Sequence, residues 1–121
     1  MKNFKFRAWD KGHKYMEYTD KNLVVCFSDE GVEVTDHTTF SHSCTSMENF
    51  ELMQSTGLKD INGTEIYEGD ILKTSIKNLV VEWVPKGACW GIGCHYLFHY
   101  YETSEVIGNI YENPKLLEGQ Q

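Results

Sequence analysis

The apolar residues of this 121-residue chain come in short runs, and glycine, proline, asparagine or aspartate separates most runs from the next. No stretch keeps the period of an amphipathic helix, whereas "FKFRAW" alternates with the two-residue period of a half-buried strand. Asn62-Gly63 is a strong short-range hairpin signal because both residues tolerate positive φ. The pattern predicts a mainly β fold, with short antiparallel strands in small curled sheets or a partly open SH3-like barrel.

Turn chemistry divides the chain into a series of predicted strands. The N-terminal strand is expected to pair with "YMEY" across the turn "DKGHK", and "NLVVCFS" with "VEVT" across "DEG". Further strands are predicted at "GDILKTSI", "NLVVEWV", "CHYLFHYYE" and "EVIGNIYENP", and "NFELMQSTG" is predicted to be a strand or a short turn of helix. Residues 36–47 are polar and have no period, which predicts a loop.

Length and composition predict one globular domain. With 121 residues, of which 40% are hydrophobic, the chain is long enough to bury a core. We expect a single domain over residues 1–117, which could divide into subdomains 1–48 and 49–117. Residues 118–121 are expected to be a flexible tail.

The charge of the chain is distributed unevenly. The formal net charge is −7, yet residues 1–14 hold five basic residues against one acid, and residues 15–121 hold six lysines against seventeen acids. An acidic body repels nucleic acid, so we do not expect nucleic-acid binding. The basic head, with Lys2, Lys5 and Arg7, is expected to form an arm that docks on the acidic body of a neighbouring subunit.

The sequence also predicts a cytoplasmic protein without membrane association. No apolar run approaches the roughly 20 residues that span a bilayer. The charged N-terminus lacks the apolar centre of a secretory signal. In the cytoplasm the four cysteines, at positions 26, 44, 89 and 94, are expected to be reduced thiols.

Cys89, Cys94, His95 and His99, in "CWGIGCHYLFH", are the sharpest candidates for chemistry, because thiolates and imidazoles suit zinc. Their spacing is unfavourable. On a strand, His95 and His99 would lie about 13 Å apart, too far to bind one ion. On a helix they would meet, but the aromatic-rich segment favours a strand. We therefore expect no metal and no cofactor, and keep these four residues as the alternative.

Other constellations favour a structural interpretation. "SHSC", residues 41–44, with Asp36 and His37 nearby, has the residue types of a hydrolase but no nucleophile elbow and no glycine-built oxyanion hole. "GIGC" is neither a dinucleotide-binding motif nor a Walker A motif. The three tryptophans and seven tyrosines could stack on bases, but in an acidic chain we expect them in the core and at a subunit interface.

Three motifs carry a resemblance to a known family. "KFRAWDK", "LMQSTGLKDINGTEIYEGDIL" and "EVIGNIYENPKLL", taken in order over about Phe4 to Leu117, resemble the YopX family of phage and prophage proteins of Gram-positive bacteria. The chain has Ser55 where family members usually have an aromatic residue. The segment "PKGACWGIGCHYLFHYYE" is particular to this sequence, so its cysteines and histidines inherit no family role. The resemblance implies a mainly β fold and a tendency to form homo-oligomers, and it implies no established activity.

The central motif has a structural interpretation. Gly57, Asn62, Gly63, Gly69 and Asp70 are predicted to define the fold by making its turns. The apolar positions 58, 61, 66 and 71 are predicted to fill the core. Glu65, Glu68 and Asp70 could instead form a carboxylate cluster for a metal or for acid-base chemistry, but "KDINGTEIYEGD" lacks the register and the final glutamate of a calcium loop.

We therefore expect a phage or prophage accessory protein, in the cytoplasm of the bacterial host, that has no enzymatic activity and acts by binding. It should form homo-oligomers and act on a host or phage protein. Two alternatives stay open. One is an acidic mimic of nucleic acid that inhibits a host enzyme acting on DNA. The other is a zinc- or thiol-dependent enzyme that uses the cysteines and histidines of residues 89–99.

Overall fold

The structure is a computed structural model that describes residues 5–21, 23–29, 31–36, 44–46 and 50–120. In these residues the chain forms twelve short strands: β1 (Phe6–Asp10), β2 (Tyr15–Tyr18), β3 (Leu23–Ser28), β4 (Gly31–Asp36), β5 (Cys44–Ser46), β6 (Phe50–Lys59), β7 (Glu65–Tyr67), β8 (Asp70–Lys73), β9 (Asn78–Val84), β10 (Cys89–Ile92), β11 (His95–Tyr96) and β12 (Glu105–Asn109). The described strands pair antiparallel, and one sheet curls strongly into a half-barrel. The predicted fold class is therefore confirmed.

The strands group into two compact units, residues 1–54 and residues 55–121. Strand β6 continues from the first unit into the second. Its residues 50–54 pair with β1, whereas its second half pairs with β7. The single domain and the subdomain limits expected from the sequence stay predictions.

In the first unit, β1 lies between β2 and β6, and β3, β4 and β5 form a three-stranded sheet. The two hairpins predicted here, β1–β2 and β3–β4, are confirmed. The loop predicted for residues 36–47 is wrong at Cys44–Ser46, which pairs with β4 as strand β5. A polar segment at a sheet edge needs only backbone partners, so it carries no apolar period. Residues 37–43 and 47 lie outside the described residues.

The β1–β2 turn is organised by a buried carboxylate. Asp10 Oδ1 accepts hydrogen bonds from the backbone N–H groups of Gly12 and His13, both at 3.0 Å, and Oδ2 lies 2.9 Å from His13 Nδ1. Burial alone would raise the pKa of Asp10, but the hydrogen bonds and charge interaction with His13, together with the Gly12 bond, hold that pKa below its usual value. The turn predicted at "DKGHK" thus has a side-chain cap as well as flexible residues.

The second unit is built on a five-stranded sheet in the order β11-β10-β9-β8-β12. Its core consists of five apolar side chains that are at most 1% exposed: Ile66, Leu72, Val81, Ile92 and Leu97. Ile61, which the sequence predicts to be in the core, is 61% exposed. It lies in the turn between β6 and β7, where its backbone rather than its side chain makes the tertiary contact. That contact is the hydrogen bond from Ile61 N–H to the Ser104 carbonyl, at 3.0 Å.

The strand predicted at "CHYLFHYYE" is mostly wrong. Only His95–Tyr96 is extended, and two 3-10 helical turns follow at Leu97–His99 and Tyr101–Thr103. Leu97 is fully buried, and bending the chain around it overrides the strand preference of the aromatic residues. The strand that does form nearby, β10, was not predicted, because Gly91 interrupts its apolar pattern. A Cβ at Gly91 would approach Val84 Cγ2 to 2.8 Å, so close packing requires glycine there.

Asp60 connects the β6–β7 turn to strand β12. Its Oδ1 accepts the backbone N–H groups of Asn62 and Thr64, both at 2.8 Å, and its Oδ2 accepts that of Val106, also at 2.8 Å. Gly63, at φ 82°, allows the turn to close under the carboxylate. Asp60 is 6% exposed, and although burial acts to raise its pKa, the bonds from Val106, Thr64 and Asn62 lower it below the usual value.

Gly69 and Asp70 form a second junction in the same motif. The N–H of Gly69 donates to the Val81 carbonyl at 2.9 Å, and its carbonyl accepts from Ile110 N–H at 3.0 Å. Asp70, 2% exposed, accepts the N–H of Tyr67 at 2.7 Å through Oδ2. These contacts connect β7, β8 and β9 to the segment that follows β12.

The C-terminal motif closes the sheet with a bulge in β12, between Val106 and Gly108. Asn109 Oδ1 accepts the N–H groups of Tyr111 and Glu112, at 3.0 and 2.9 Å. A Cβ on Gly108 would lie 2.5 Å from Asn113 Oδ1, so the turn is packed directly against the bulge.

The flexible tail expected at 118–121 stays a prediction. Within it, the Gln120 carboxamide accepts from Asn78 N–H at 2.8 Å and donates to the Asn78 carbonyl at 2.9 Å. Across the described ranges, no helix is both long and apolar enough to cross a membrane.

Replacing Asp60 by Asn should destabilise the protein by about 1–3 kcal/mol, because the new NH₂ group faces an N–H donor at one of the three bonds. The folded-state pKa of Asp60 is lowered, so its ionised form stabilises the protein above the unfolded pKa of about 3.9. That contribution is lost as the pH falls through the folded-state pKa. The wild-type and Asp60→Asn unfolding free energies, measured in urea, should therefore differ most near neutral pH and converge in acid.

Glu105→Gln is the matched control, since it removes an exposed carboxylate from the adjacent strand β12. It should change the unfolding free energy by no more than about 0.5 kcal/mol. A wild-type to Asp60→Asn difference that stays constant from neutral pH into acid would contradict the role assigned to the Asp60 charge.

Candidate binding groove

Residues 83–101 of the second unit form a segment without acids. All 18 Asp and Glu residues lie elsewhere in the chain, and Lys86 is the one Lys or Arg in this segment. The segment is rich in aromatic side chains: Trp83, Trp90, Tyr96, Phe98, Tyr100 and Tyr101. In a chain with a net charge of −7, a partner with negative charge meets little repulsion from this segment.

A groove of about 510 Å³ opens among these residues. We call it the aromatic groove, and its walls are Trp90, Tyr96, Phe98 and His99, with Thr56, Leu58 and Cys89. Its volume falls within the roughly 300–1,000 Å³ that is typical of ligand pockets. No acid lines it.

The 3-10 turn at Leu97–His99 presents the outer wall of the groove. Leu97 is fully buried, so its neighbours on either side face outward, and Tyr96 is 59% exposed and Phe98 71% exposed. Their rings pack on His99, with centroids 5.9 and 6.0 Å away. Ser104 stabilises the end of this turn, because its hydroxyl donates a hydrogen bond to the Tyr100 carbonyl at 2.6 Å.

The β9–β10 hairpin supplies the opposite aromatic wall. Trp83 and Trp90 are directly paired across the hairpin, and their rings meet edge to face with centroids 5.2 Å apart. Trp90 is half-buried and lines the groove, whereas Trp83 is 45% exposed. Such edge-to-face pairs are worth about 0.5–1.5 kcal/mol beyond the burial of their area, which helps to fix the wall.

A bulge in β6 places Thr56 and Leu58 in the groove. Ser55 pairs with Tyr67 and Lys59 with Glu65, so β6 contains two more residues than β7 between these two pairings. Gly57 has φ 80° at this point, and the Thr56 hydroxyl donates to the Ile66 carbonyl at 2.8 Å. Gly57, predicted to lie in a turn, thus lies in a strand bulge, and bulges commonly re-aim side chains next to binding sites.

A second cavity, of about 400 Å³, shares the side chains of Cys89 and Tyr96 with the aromatic groove. We call it the glycine cavity, because Gly87, Gly91 and Gly93 line it, together with Val84, Lys86, Cys94 and His95. Gly93 has φ 63°, and a Cβ there would lie 3.2 Å from Leu79 Cδ2. The left-handed φ favours glycine at this position, and the backbone forms part of the cavity wall.

The four residues considered as zinc ligands line these two cavities, but they do not form a group that could bind one metal ion. Cys89, Cys94 and His95 line the glycine cavity, whereas Cys89 and His99 line the aromatic groove. No group of three or more His, Cys, Asp or Glu residues in the described ranges could hold a metal ion. Because His99 lies in a 3-10 turn, the strand spacing used against zinc does not apply. The absence of a metal stays a prediction.

The other predicted residues lie outside the grooves. Asn62, Gly63, Gly69 and Asp70 belong to the two junctions of the motif described above, and Asn62 donates its N–H to Asp60. Arg7 is 3% exposed and is the second residue of β1, and Lys5 immediately precedes that strand, whereas Lys2 lies outside the described residues. Arg7 is therefore held in a sheet, and the arm stays a prediction for the residues before it.

Sequence reasoning did not identify the aromatic groove. It expected the aromatic residues in the core and at a subunit interface. Tyr96 and Phe98 are largely exposed and therefore not in the core, and the interface stays a prediction. The lack of acids over residues 83–101 was the available signal. No sequence signal indicated that Thr56 and Leu58 line the groove, because their position depends on the bulge in β6 and on its pairing with β7.

Comparison with known proteins shows similarity to one protein family and to solved structures. The family model described as YopX protein matches residues 5–118. The crystal structure of protein EF1440 from Enterococcus faecalis is similar with a TM-score of 0.61 and 30% sequence identity, over 98% of this chain and 100% of that chain. No curated protein matches.

The aromatic groove should bind the apolar dye anilinonaphthalene sulfonate, and Phe98→Ala should weaken that binding about tenfold. Loss of one phenylalanine contact removes roughly 1.4 kcal/mol or more. Ile76→Ala is the matched control, because Ile76 is a comparably exposed apolar residue, 55%, in the β8–β9 turn. Dye fluorescence titrations should show wild-type affinity for the control. Equal losses in both variants would show that the dye does not bind in the groove.

Proposed function

The chain belongs to the YopX family, and we propose that it is a phage or prophage accessory protein that acts by binding another protein and not by catalysis. Its place of action is the cytoplasm of the bacterial host. Its partners are further copies of itself and a host or phage protein.

The observation that carries this proposal is the exposed aromatic surface of residues 83–101. Trp83, Tyr96 and Phe98 are large apolar side chains between 45% and 71% exposed. Tyr96 and Phe98 line a groove without acids, and Trp83 packs against Trp90, which also lines it. The centres of protein interfaces are depleted in charge and enriched in Tyr, Trp and Phe. The residues that dominate binding energy are most often Trp, Tyr and Arg.

The arrangement of the cysteines and histidines also favours binding. A cysteine nucleophile needs a base within hydrogen-bond reach. Among the described residues, no hydrogen bond joins Cys89 or Cys94 to His95 or His99. The rings of His95 and His99 instead pack against Tyr100 and against Tyr96 and Phe98.

Self-association has to overcome like charge, because each copy has a net charge of −7. Two features favour it. The surface of residues 83–101 brings no acids into a contact, and the basic residues before β1 can approach the acidic part of a neighbouring copy. We expect the arm to steer assembly and the aromatic groove to supply the contact area.

A photo-crosslinking amino acid, p-benzoylphenylalanine, placed at position 98 tests the proposed surface. In host cells carrying the phage or prophage, it should give discrete adducts with another copy of the chain or with one partner, identified by mass spectrometry. The same amino acid at position 76, which is also exposed and lies outside the groove, should give none. If position 98 yields no adduct under illumination that labels a known complex, the proposal fails.

The arm is tested by charge reversal. Lys2→Glu with Lys5→Glu should shift sedimentation velocity profiles toward smaller species at low salt, and high salt should do the same to the wild-type protein. Lys77→Glu with Lys115→Glu makes an equal change in net charge at two exposed lysines of the second unit. This control should behave as wild type. If both double variants dissociate alike, the effect is one of net charge and no arm exists.

A further inference from the structure

The aromatic groove and the glycine cavity adjoin each other, since Cys89 and Tyr96 line both. Their chemistry differs. The groove presents aromatic and aliphatic surface, whereas the glycine cavity presents a lysine, a histidine and backbone. A partner that fills both must therefore carry an apolar group next to a polar one.

The polar cavity is suited to an anion. Lys86 is exposed and forms no ion pair with a residue in the described ranges. The His95 ring offers a nitrogen that can donate a hydrogen bond in one of its tautomers. No acid lines the cavity, and none occurs between Trp83 and Tyr101 along the chain. No carboxylate lines the cavity to form an ion pair with a cationic group, whereas a carboxylate would find Lys86.

We propose that the glycine cavity is a carboxylate subsite, and that the two cavities together bind an extended peptide segment in which an aromatic or bulky apolar residue lies two positions away from Asp or Glu. In an extended chain, residues i and i+2 face the same side about 7 Å apart, which suits neighbouring cavities. This inference rests on the proposed function, because it specifies the segment that the partner inserts.

The charge of the whole chain favours a peptide over nucleic acid. A single carboxylate needs one cation, and the two cavities hold one lysine. A nucleic-acid strand brings a charge at every nucleotide, and its affinity depends on several lysine or arginine contacts. A chain with a net charge of −7 repels such a strand beyond the cavities.

Three short peptides test the inference in the full-length protein by titration monitored with backbone amide NMR shifts. They are acetyl-Gly-Phe-Gly-Glu-Gly-amide and the same peptide with Gln or Lys in place of Glu. We expect shifts at residues lining both cavities and affinities in the order Glu, Gln, Lys. An exposed ion pair contributes about 0.2–1 kcal/mol, so the Glu peptide should bind about 1.4- to 5-fold more tightly than the Gln peptide at low salt, and equally at high salt.

The variant Lys86→Gln should abolish the preference for Glu over Gln. Lys77→Gln, an exposed lysine in the β8–β9 turn, should retain the preference. If Lys86→Gln keeps the preference, or if the Lys peptide binds as tightly as the Glu peptide, the carboxylate subsite is wrong and binding by the aromatic groove stands.

Two further outcomes are decisive. If no peptide shifts any groove residue at millimolar concentration, both the subsite and the binding role of the groove are wrong. If an oligothymidine strand shifts the same residues more strongly than the Glu peptide does, the ligand is single-stranded nucleic acid and the peptide inference is overturned.

Discussion

The carboxylate of Asp60 holds together the part of the molecule on which the candidate site is built. It accepts three backbone N–H groups, two from its own turn and one from Val106 on β12. Val106 is distant in sequence from the turn, and a carboxylate with two oxygens can accept all three hydrogen bonds. The cost of burying its charge is offset only while the three bonds persist together. The Asp60 turn therefore behaves as a single cooperative unit.

The same turn reaches the binding face through the backbone. Ile61 N–H donates to the carbonyl of Ser104, and the Ser104 hydroxyl donates to the carbonyl of Tyr100. This path runs from the β6–β7 turn to the 3-10 turns that carry the exposed aromatic residues. The motif that looks most like a site in the sequence thus contributes hydrogen bonds that lead to the segment on which the proposed binding groove lies.

Local patterns were sufficient to predict much of the fold. The alternation before Asp10 and the flexible turn after it predicted the first hairpin, and Asn62-Gly63 predicted the turn between β6 and β7. Features that depend on distant partners could not be read in this way. Strand β10 contains a glycine that only its contact with Val84 explains, and the aromatic segment after it bends because Leu97 has to reach the core. The aromatic groove depends on both the packing of β10 and the bend at Leu97. Its residue types can therefore be read from the sequence, but its shape cannot be predicted from it.

The bulge in β6 has a consequence for how this chain can vary during evolution. A regular strand with partners along its whole length transmits any insertion or deletion as a register slip that turns every later side chain to the opposite face. In β6, the extra residues around Gly57 are already accommodated between the pairings of Ser55 and Lys59. A change of length at that point can be absorbed locally. Thr56 and Leu58 therefore lie where β6 tolerates a change of length. Related chains can alter this wall of the groove without disturbing the strand pairings on either side.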